Sequence, residues 1–174
     1  MISFHFRYIF GNETFYEIIT TKNYGELKSF SCSPWAENEN GRKERHMNYE
    51  FTKTIAFTRG TLNVNQIQTE CDWSTPGLVY GIDNWSRTTG MMYADYMHLD
   101  IHLRLEKEKE KQTKITVICH IVWDKSTIMK SKIETETYKG TKEYYEVFEK
   151  ELMSEKSTTG IAFLEHAFLS ASVF

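Results

Sequence analysis

The sequence predicts an α+β fold in which a curved antiparallel sheet carries one long helix across its concave face. Several segments alternate apolar and polar residues, which is typical of strands with one dry face and one wet face. Residues 133–152 repeat apolar positions at helical spacing. Aromatic residues make up 14% of the 174-residue chain, which has only two prolines, and this composition suits wide, half-buried sheet faces.

The N-terminal part predicts a helix followed by a polar connection. Residues 12–22 read as a helix whose apolar side carries Phe15, Ile18 and Ile19. Residues 33–45 are rich in charged and amide side chains, so we predict a loop there. The strands of the sheet are then expected to begin at about residue 46.

Three strand segments follow this loop. Residues 46–57 alternate, with Met47, Tyr49 and Phe51 facing one way. Residues 62–72 and 78–89 are further strands, and the breakers of 74–77 form the turn between them.

The most regular alternation lies in the next two strands. Residues 97–105 and 114–123 are expected to face the core with two apolar rows, Met97, Leu99, Ile101, Leu103 and Leu105 in the first and Ile115, Val117, Cys119, Ile121 and Trp123 in the second. The charge run at 106–111 reads as a hairpin tip or a short disordered loop.

The long helix is predicted to begin after a cap at Ser126 or Thr127. Its apolar stripe consists of Ile133, Thr137, Gly140, Tyr144, Phe148 and Leu152. We expect Gly140 to allow a close approach to the sheet, which would tilt the helix and open its far end. Residues 156–174 are predicted to be a tail, either a short helix or disordered.

Composition excludes several classes of function. A net charge of −3 and dispersed basic residues argue against a nucleic-acid partner. The three cysteines are far apart in sequence and read as free thiols of a reducing compartment. No apolar run reaches the ~20 residues that a membrane span needs. No phosphate loop, dinucleotide fingerprint or nucleophile motif is present, so we predict neither an enzyme nor a cofactor.

One alternative is a non-haem iron enzyme that uses His98, Asp100 and His120. Two histidines and a carboxylate form the ligand set of such sites. However, His98 and Asp100 alternate with the leucines and are therefore expected on the wet face. Exposed polar residues are the favoured interpretation. A Cys119–His120 nucleophile pair fails because adjacent strand residues point to opposite faces.

Four stretches resemble the VASt family. Residues 114–152 match a strand ending in Val-x-Trp, a Lys-Ser pair and a helix with Gly-x-x-x-Tyr. Residues 34–52 match its Pro-Trp, polar loop and Arg-x-x-x-Tyr strand, residues 87–105 match its strand-turn-strand, and residues 10–19 match its Phe-Gly helix opening. The likeness covers about residues 4–155.

The resemblance implies a StART-like helix-grip fold and non-vesicular transfer of a sterol or similar lipid without catalysis. VASt domains occur in membrane-anchored proteins with a GRAM domain that act on the cytoplasmic side of the endoplasmic reticulum at membrane contact sites. We therefore expect a transient membrane contact, and a GRAM domain and membrane anchor in a longer parent protein. A chain without such a parent would be cytosolic.

Departures from the family pattern affect the ligand-gating region. The proline-containing loop that is thought to cover the cavity is replaced by residues 54–64, which retain only Gly60. The later Asp-Val-Pro turn is replaced by Gly90-Met91-Met92. The usual first strand is short or missing, which would suit a truncated product or a fragment.

We expect the sheet and the long helix to enclose an elongated apolar gap. The predicted lipid-binding residues are Tyr49, Phe51, Ile55, Leu62, Tyr80, Tyr93, Leu99, Ile101, Leu103, Val117, Cys119, Ile121, Met129, Ile133, Thr137 and Tyr144. Thr137, a tyrosine hydroxyl or an ordered water is expected to bind the hydroxyl of the lipid. The alternative is an interaction or scaffold module that keeps the fold but has lost lipid transfer.

Overall fold

The computed structural model describes residues 10–11, 13–55, 58–109, 112–159 and 167–169. Helix α1 spans Glu13–Tyr24, helix α2 spans Lys130–Thr159, and a 3-10 turn covers Ala94–Tyr96. The strands are β1 Leu27–Cys32, β2 Ala36–Glu37, β3 Lys43–Ile55, β4 Thr58–Glu70, β5 Val79–Thr89, β6 Met97–Lys109, β7 Gln112–Trp123 and β8 Ala167–Leu169.

The strands form one open sheet in the order β1-β3-β4-β5-β6-β7-β8, and β2 pairs with β3. All pairs are antiparallel except β7 with β8. The register aligns Ile101 with Cys119 and Leu103 with Val117, so both apolar rows face the same side. The predicted α+β fold with an antiparallel sheet and a long C-terminal helix is confirmed.

The concave face is covered by α1 and by the C-terminal half of α2. Phe15 of α1 lies edge-on to Phe148 of α2, with ring centroids 5.4 Å apart. An ion pair joins Lys22 to Glu151, whose residue is 9% exposed. Leu152 is 2% exposed. The two helices therefore close one half of the sheet with a well-packed interface.

The interior contains two buried clusters. The larger lies under both helices and includes Leu103, Val117, Tyr145 and Phe148. The smaller comprises Tyr49, Phe51, Leu62 and Val64. The ring of Tyr24 connects them, because it stacks on Phe51 at 4.1 Å and lies 6.2 Å from Tyr144.

Two predictions about the N-terminal part are wrong. Ile18 is 36% exposed, whereas Phe15 and Ile19 of the same predicted side are 1% and 0% exposed, because Ile18 lies at the margin of the side that α1 turns to the core. The stretch predicted as a loop up to residue 45 already contains β2 and the first residues of β3. Its Arg45 is 1% exposed, because the strand directs that side chain into the core.

Arg45 is held by two aromatic rings and two hydrogen bonds, and only its Nη2 has no hydrogen-bond partner among the described residues. Its guanidinium lies 4.7 Å from the ring centroids of both Tyr16 and Trp35. Its Nε donates to Gln68 Oε1 at 2.8 Å, and its Nη1 donates to the Phe10 carbonyl at 2.8 Å. A delocalised guanidinium suits such a sandwich, because it combines ring stacking with directed hydrogen bonds. Arg45 thus ties α1 and its preceding turn to the sheet.

The loop after β5 depends on Gly90. Its φ of +98° lies in the region that L-residues avoid, and a Cβ there would lie 2.2 Å from the Thr61 carbonyl oxygen. The loop can therefore fold back over β4 only with glycine at this position.

We expect Gly90→Ala to lower the free energy of unfolding by about 3 kcal/mol, since it adds a backbone clash to an unfavourable φ. Gly77→Ala is the matched control: φ is +83°, but nothing lies within 4 Å of the added Cβ. It should cost only about 1 kcal/mol. Urea unfolding measures both, and equal losses would contradict the close approach.

Candidate functional site

The concave face carries polar side chains among its apolar ones. The inward positions of β4 and β5 are Leu62, Val64, Gln66, Gln68, Tyr80, Ile82, Asn84 and Ser86, all at most 7% exposed. Buried amides are unusual, because an amide in an apolar interior costs free energy unless it is hydrogen-bonded. This row is therefore the most informative feature of the interior.

In two of these amides the side-chain oxygen accepts no hydrogen bond from the described residues. Gln66 Oε1 and Asn84 Oδ1 are buried and have no hydrogen-bond partner among the described residues. Gln68 differs, because its Oε1 accepts from Arg45. An orphaned buried acceptor costs roughly 1–3 kcal/mol. A guest that brings a hydroxyl donor would recover part of that cost.

A small cavity borders one of these acceptors. Its volume is about 10 Å³, room for roughly one water molecule. It is lined by Tyr16, Gln68, Ile82, Asn84, Leu103, Tyr144, Tyr145 and Phe148. Small-molecule sites usually measure about 300 to 1,000 Å³. Within the described residues, the expected elongated gap is therefore not preformed at this place.

The predicted lipid-binding residues fall into three groups. Six lie in or against the larger cluster: Leu99, Ile101, Leu103, Val117, Cys119 and Tyr144. Three belong to the smaller cluster: Tyr49, Phe51 and Leu62. Tyr80 is buried on β5, whereas Tyr93, Ile121, Met129, Ile133 and Thr137 are half-buried near the start of α2 and its neighbouring loop. The side chain of Ile55 lies outside the described residues.

The N-terminal half of α2 is loosely packed against the sheet. None of its residues from 130 to 143 is buried, and a Cβ on Gly140 would have nothing within 4 Å. The prediction that Gly140 allows a close approach is therefore wrong: the helix stands off the sheet at this point. Polar contacts along β7 hold this half, including Trp123 Nε1 to Glu134 Oε1 at 2.9 Å and Tyr138 to the backbone of Ile121.

The loop at 90–96 covers the smaller cluster, which the sequence did not predict. The pairing of β3 with β4 continues to Ile55 and Thr58. Gly60 lies within β4, and a Cβ there would lie 2.8 Å from Met91 Cγ. Met91 and Ala94 pack on the smaller cluster. The loop at 90–96 thus covers the region for which the family likeness predicted a lid from residues 54–64.

The outer face has a shallow hollow of about 340 Å³. Its lining includes Asn48, Asn63, Asn65, Trp85 and Arg87. Its volume would admit a small molecule, but the hollow is open to solvent and several amide and charged side chains line it. It therefore does not enclose a sterol-like molecule as small-molecule sites usually do.

The buried cysteine of the interior is not an activated nucleophile. Burial raises the pKa of the Cys119 thiol to about 11. His120 points to the opposite, exposed face, as predicted. The three residues of the iron alternative lie on the outer face, where His98 Nδ1 instead lies 3.4 Å from Asp124 Oδ2. This arrangement offers no sheltered reaction centre around these groups.

Sequence reasoning missed Gln66, Gln68, Asn84 and Ser86. A signal was available, because all four lie in segments that were predicted as strands and alternate with apolar residues there. Polar residues at such positions conflict with a purely apolar core. The orphaned acceptors themselves required coordinates, since side-chain partners come from three different strands and two helices.

An antiparallel sheet closed by a long C-terminal helix is the arrangement of helix-grip, StART-like proteins. A family model described as "VAD1 Analog of StAR-related lipid transfer domain" (VASt) matches residues 3–140. The chain therefore belongs to the VASt family, which is described by lipid transfer and not by an enzymatic reaction. No helix of the described residues is long and apolar enough to span a bilayer.

Two curated relatives share this similarity. Protein Aster-B of Homo sapiens and Protein Aster-B of Mus musculus are each 25% identical over 159 residues. The alignments cover 86% of this chain but only 22% of each relative. The chain thus spans about a fifth of the length of the curated relatives it matches.

Buried tyrosines predict a loss of stability at high pH. Burial raises the pKa of Tyr16 to about 12 and also raises the pKa of Tyr24, Tyr49, Tyr144 and Tyr145. These phenols ionise in the unfolded chain at a pH near 10 but resist ionisation in the folded protein. Their contribution to stability is therefore full below about pH 10 and falls as pH rises towards 12.

We expect the free energy of unfolding to fall by at least about 2 kcal/mol between pH 10 and pH 12. Urea unfolding and tyrosinate absorbance measure this fall. Tyr16→Phe should weaken the pH dependence. A pH-independent stability would contradict the burial of these hydroxyls.

Proposed function

We propose that this domain binds a sterol or similar lipid on its concave face beneath α2 and transfers it between membranes without catalysis. The supporting observation is the pair of orphaned acceptors, Gln66 Oε1 and Asn84 Oδ1, set within an otherwise apolar interior. The lipid places its rings against the two buried clusters and donates its hydroxyl to Asn84. VASt membership supports the lipid class.

Entry of the lipid requires the closed interior to expand. The C-terminal half of α2 stays anchored through Phe148 and Leu152, which are both 2% exposed. The N-terminal half of α2, none of whose residues from 130 to 143 is buried, then separates from the loop at 90–96. Loosely packed segments are the ones that open at low free-energy cost. The half-buried residues Ile121, Ile133 and Thr137 then line the entrance.

Two variants test the site. Asn84→Leu removes the acceptor at similar volume and should weaken sterol binding about tenfold, the value of one hydrogen bond, without lowering stability. Ile101→Arg places a charge on the inner wall and should abolish binding. Uptake of a fluorescent sterol from liposomes measures both effects.

The controls are outward-facing residues of the same sheet. Asn65→Leu on β4 and His120→Arg on β7 repeat the chemical changes on the exposed side and should leave sterol uptake unchanged. Equal effects from inner and outer variants would refute an interior site. Full uptake by a correctly folded Ile101→Arg protein would refute it as well.

Membrane contact is proposed at one end of the sheet, which we call the upper end. It comprises the loop 90–96 and the connection 124–129. Two hydrogen bonds join these segments, because the backbone amides of Asp124 and Lys125 donate to the Tyr96 carbonyl at 2.8 and 3.1 Å. Here Met92 is 81% exposed and Ile128 is 99% exposed. Apolar tips beside a loosely held helix suit insertion into the boundary of a bilayer.

Charge contributes little to the choice of a lipid surface. Lys125, Lys130 and Lys132 are exposed in or next to this connection, but Lys125 pairs with Asp95 and Lys130 with Glu134. Anionic lipids attract exposed lysines by about 1 kcal/mol each. The proposed membrane contact therefore rests on apolar insertion, to which Lys132 adds a small attraction to an anionic surface.

We expect Met92→Asp and Ile128→Asp to reduce both liposome binding and sterol transfer several-fold, since each replaces an inserting group by an anion. Leu78→Asp is the matched control, because Leu78 is 58% exposed at the opposite end of the sheet. Co-sedimentation with phosphatidylserine-containing vesicles measures binding. A loss equal to that of Leu78→Asp would contradict membrane contact through the upper end.

The site of action is proposed as the cytoplasmic face of the endoplasmic reticulum at membrane contacts. The longer parent protein would supply a GRAM domain and a membrane anchor. The length of the Aster-B relatives, of which the matched region is 22%, is consistent with such a parent. Fluorescence microscopy of the full-length parent protein tests this placement.

A scaffold function is the second candidate, because the cavity of about 10 Å³ is closed. A module that has lost its pocket would keep the helix-grip fold and use the sheet edge for pairing with another chain. Mass spectrometry of lipids extracted from the purified protein separates the two. A stoichiometric sterol or similar lipid supports the carrier, whereas an empty protein that also takes up no sterol from liposomes supports the scaffold.

A further inference from the structure

A cluster of three different metal-ligating side chains lies on the outer face, away from the proposed lipid site. Cys71 Sγ, one carboxylate oxygen of Asp83 and one ring nitrogen of His102 all lie within 4.8 Å of one another. Cys71 follows β4, Asp83 lies on β5, and His102 is its direct register partner on β6. Three consecutive strands therefore converge on one point.

We propose that Cys71, Asp83 and His102 bind a zinc ion that joins the end of β4 to the middle of β5 and β6. A thiolate, an imidazole and a carboxylate are the ligand types that Zn²⁺ takes in proteins. The half-exposed Asp83 and His102 leave the fourth position to a water molecule. The role is structural stabilisation of the sheet, independent of lipid binding.

The geometry needs only a small adjustment. Asp83 Oδ1 lies 2.8 Å from His102 Nδ1, whereas two ligand atoms on a tetrahedral zinc stand about 3.3 Å apart. A separation of about half an ångström, within the freedom of two partly exposed side chains, admits the ion. On binding, the Cys71 thiol gives its proton to solvent and the thiolate bonds to zinc.

Neighbouring residues complete the site. Arg42 Nη2 donates to Asp83 Oδ2 at 3.1 Å and its Nε lies 3.0 Å from Asp72 Oδ1. It thereby orients the carboxylate and leaves Oδ1 for the metal, as outer partners do in metal sites. The double charge of zinc and the charge of Arg42 are balanced by the two aspartates and the Cys71 thiolate.

Trp73 covers the cluster on its solvent side. Its ring lies 5.6 Å from the His102 ring, and a Cβ on Gly81 would lie 2.2 Å from Trp73 Cη2. Glycine at position 81 thus leaves room for the indole of Trp73 next to Cys71, which is 4% exposed. Shielding of this kind strengthens the bonds of the metal to its ligands by lowering the local dielectric constant.

Cobalt titration tests the proposal directly. The reduced, chelator-treated protein with CoCl₂ should develop a thiolate-to-cobalt charge-transfer band at a ratio of one metal per chain, and added ZnCl₂ should displace it. Cys71→Ser should abolish the band, and His102→Gln should weaken binding at least about tenfold. Cys32→Ser and His120→Gln should bind as the unmodified protein does.

A thermal measurement supplies a second readout. Zinc at 100 times its Kd should raise Tm by roughly 5 to 10 °C in the unmodified protein. The rise should vanish in His102→Gln, which changes a side chain that is 32% exposed. No cobalt band, or a band that persists in Cys71→Ser, would overturn the zinc site.

Discussion

The apolar concave face of the sheet has to be covered. The packing of α2 on that face determines which part of the interior is closed and which part is loosely held. Phe148 and Leu152 are buried against α1 and the sheet, and Lys22 pairs with Glu151 to fix the two helices together. This anchor occupies only one half of the helix. The other half buries none of its residues from 130 to 143 and is held along β7 by polar contacts such as that of Trp123 with Glu134, so the same helix is tightly packed at one end and loosely packed at the other.

The interior then combines two requirements that oppose each other. A stable core favours apolar side chains, whereas recognition of a lipid hydroxyl needs a polar group held away from water. Gln68 is satisfied by Arg45, which contributes to stability. Asn84 and Gln66 retain orphaned acceptors. Because an unsatisfied acceptor destabilises the empty protein, its retention in an otherwise well-packed interior agrees with a function in binding.

Two separate parts of the sheet have different characters. The upper end presents exposed apolar side chains and the loosely held start of α2. Cys71, Asp83 and His102 lie instead on the outer face under the indole of Trp73, where the end of β4 meets the middle of β5 and β6. A crosslink there would stiffen these strands while the upper end opens.

The sequence by itself determined the strands between residues 46 and 123, the inward rows of three of them and the long helix, because alternation and helical spacing are local properties. It also indicated the family through four motifs in order. The tertiary structure alone decided how full the interior is, that Arg45 is buried, that Gly140 has no close neighbour, and that residues 90–96 provide the cover. It also brought Cys71 to His102. These facts depend on how side chains distant in sequence fill a shared volume, and a pattern along one strand carries no information about its partners.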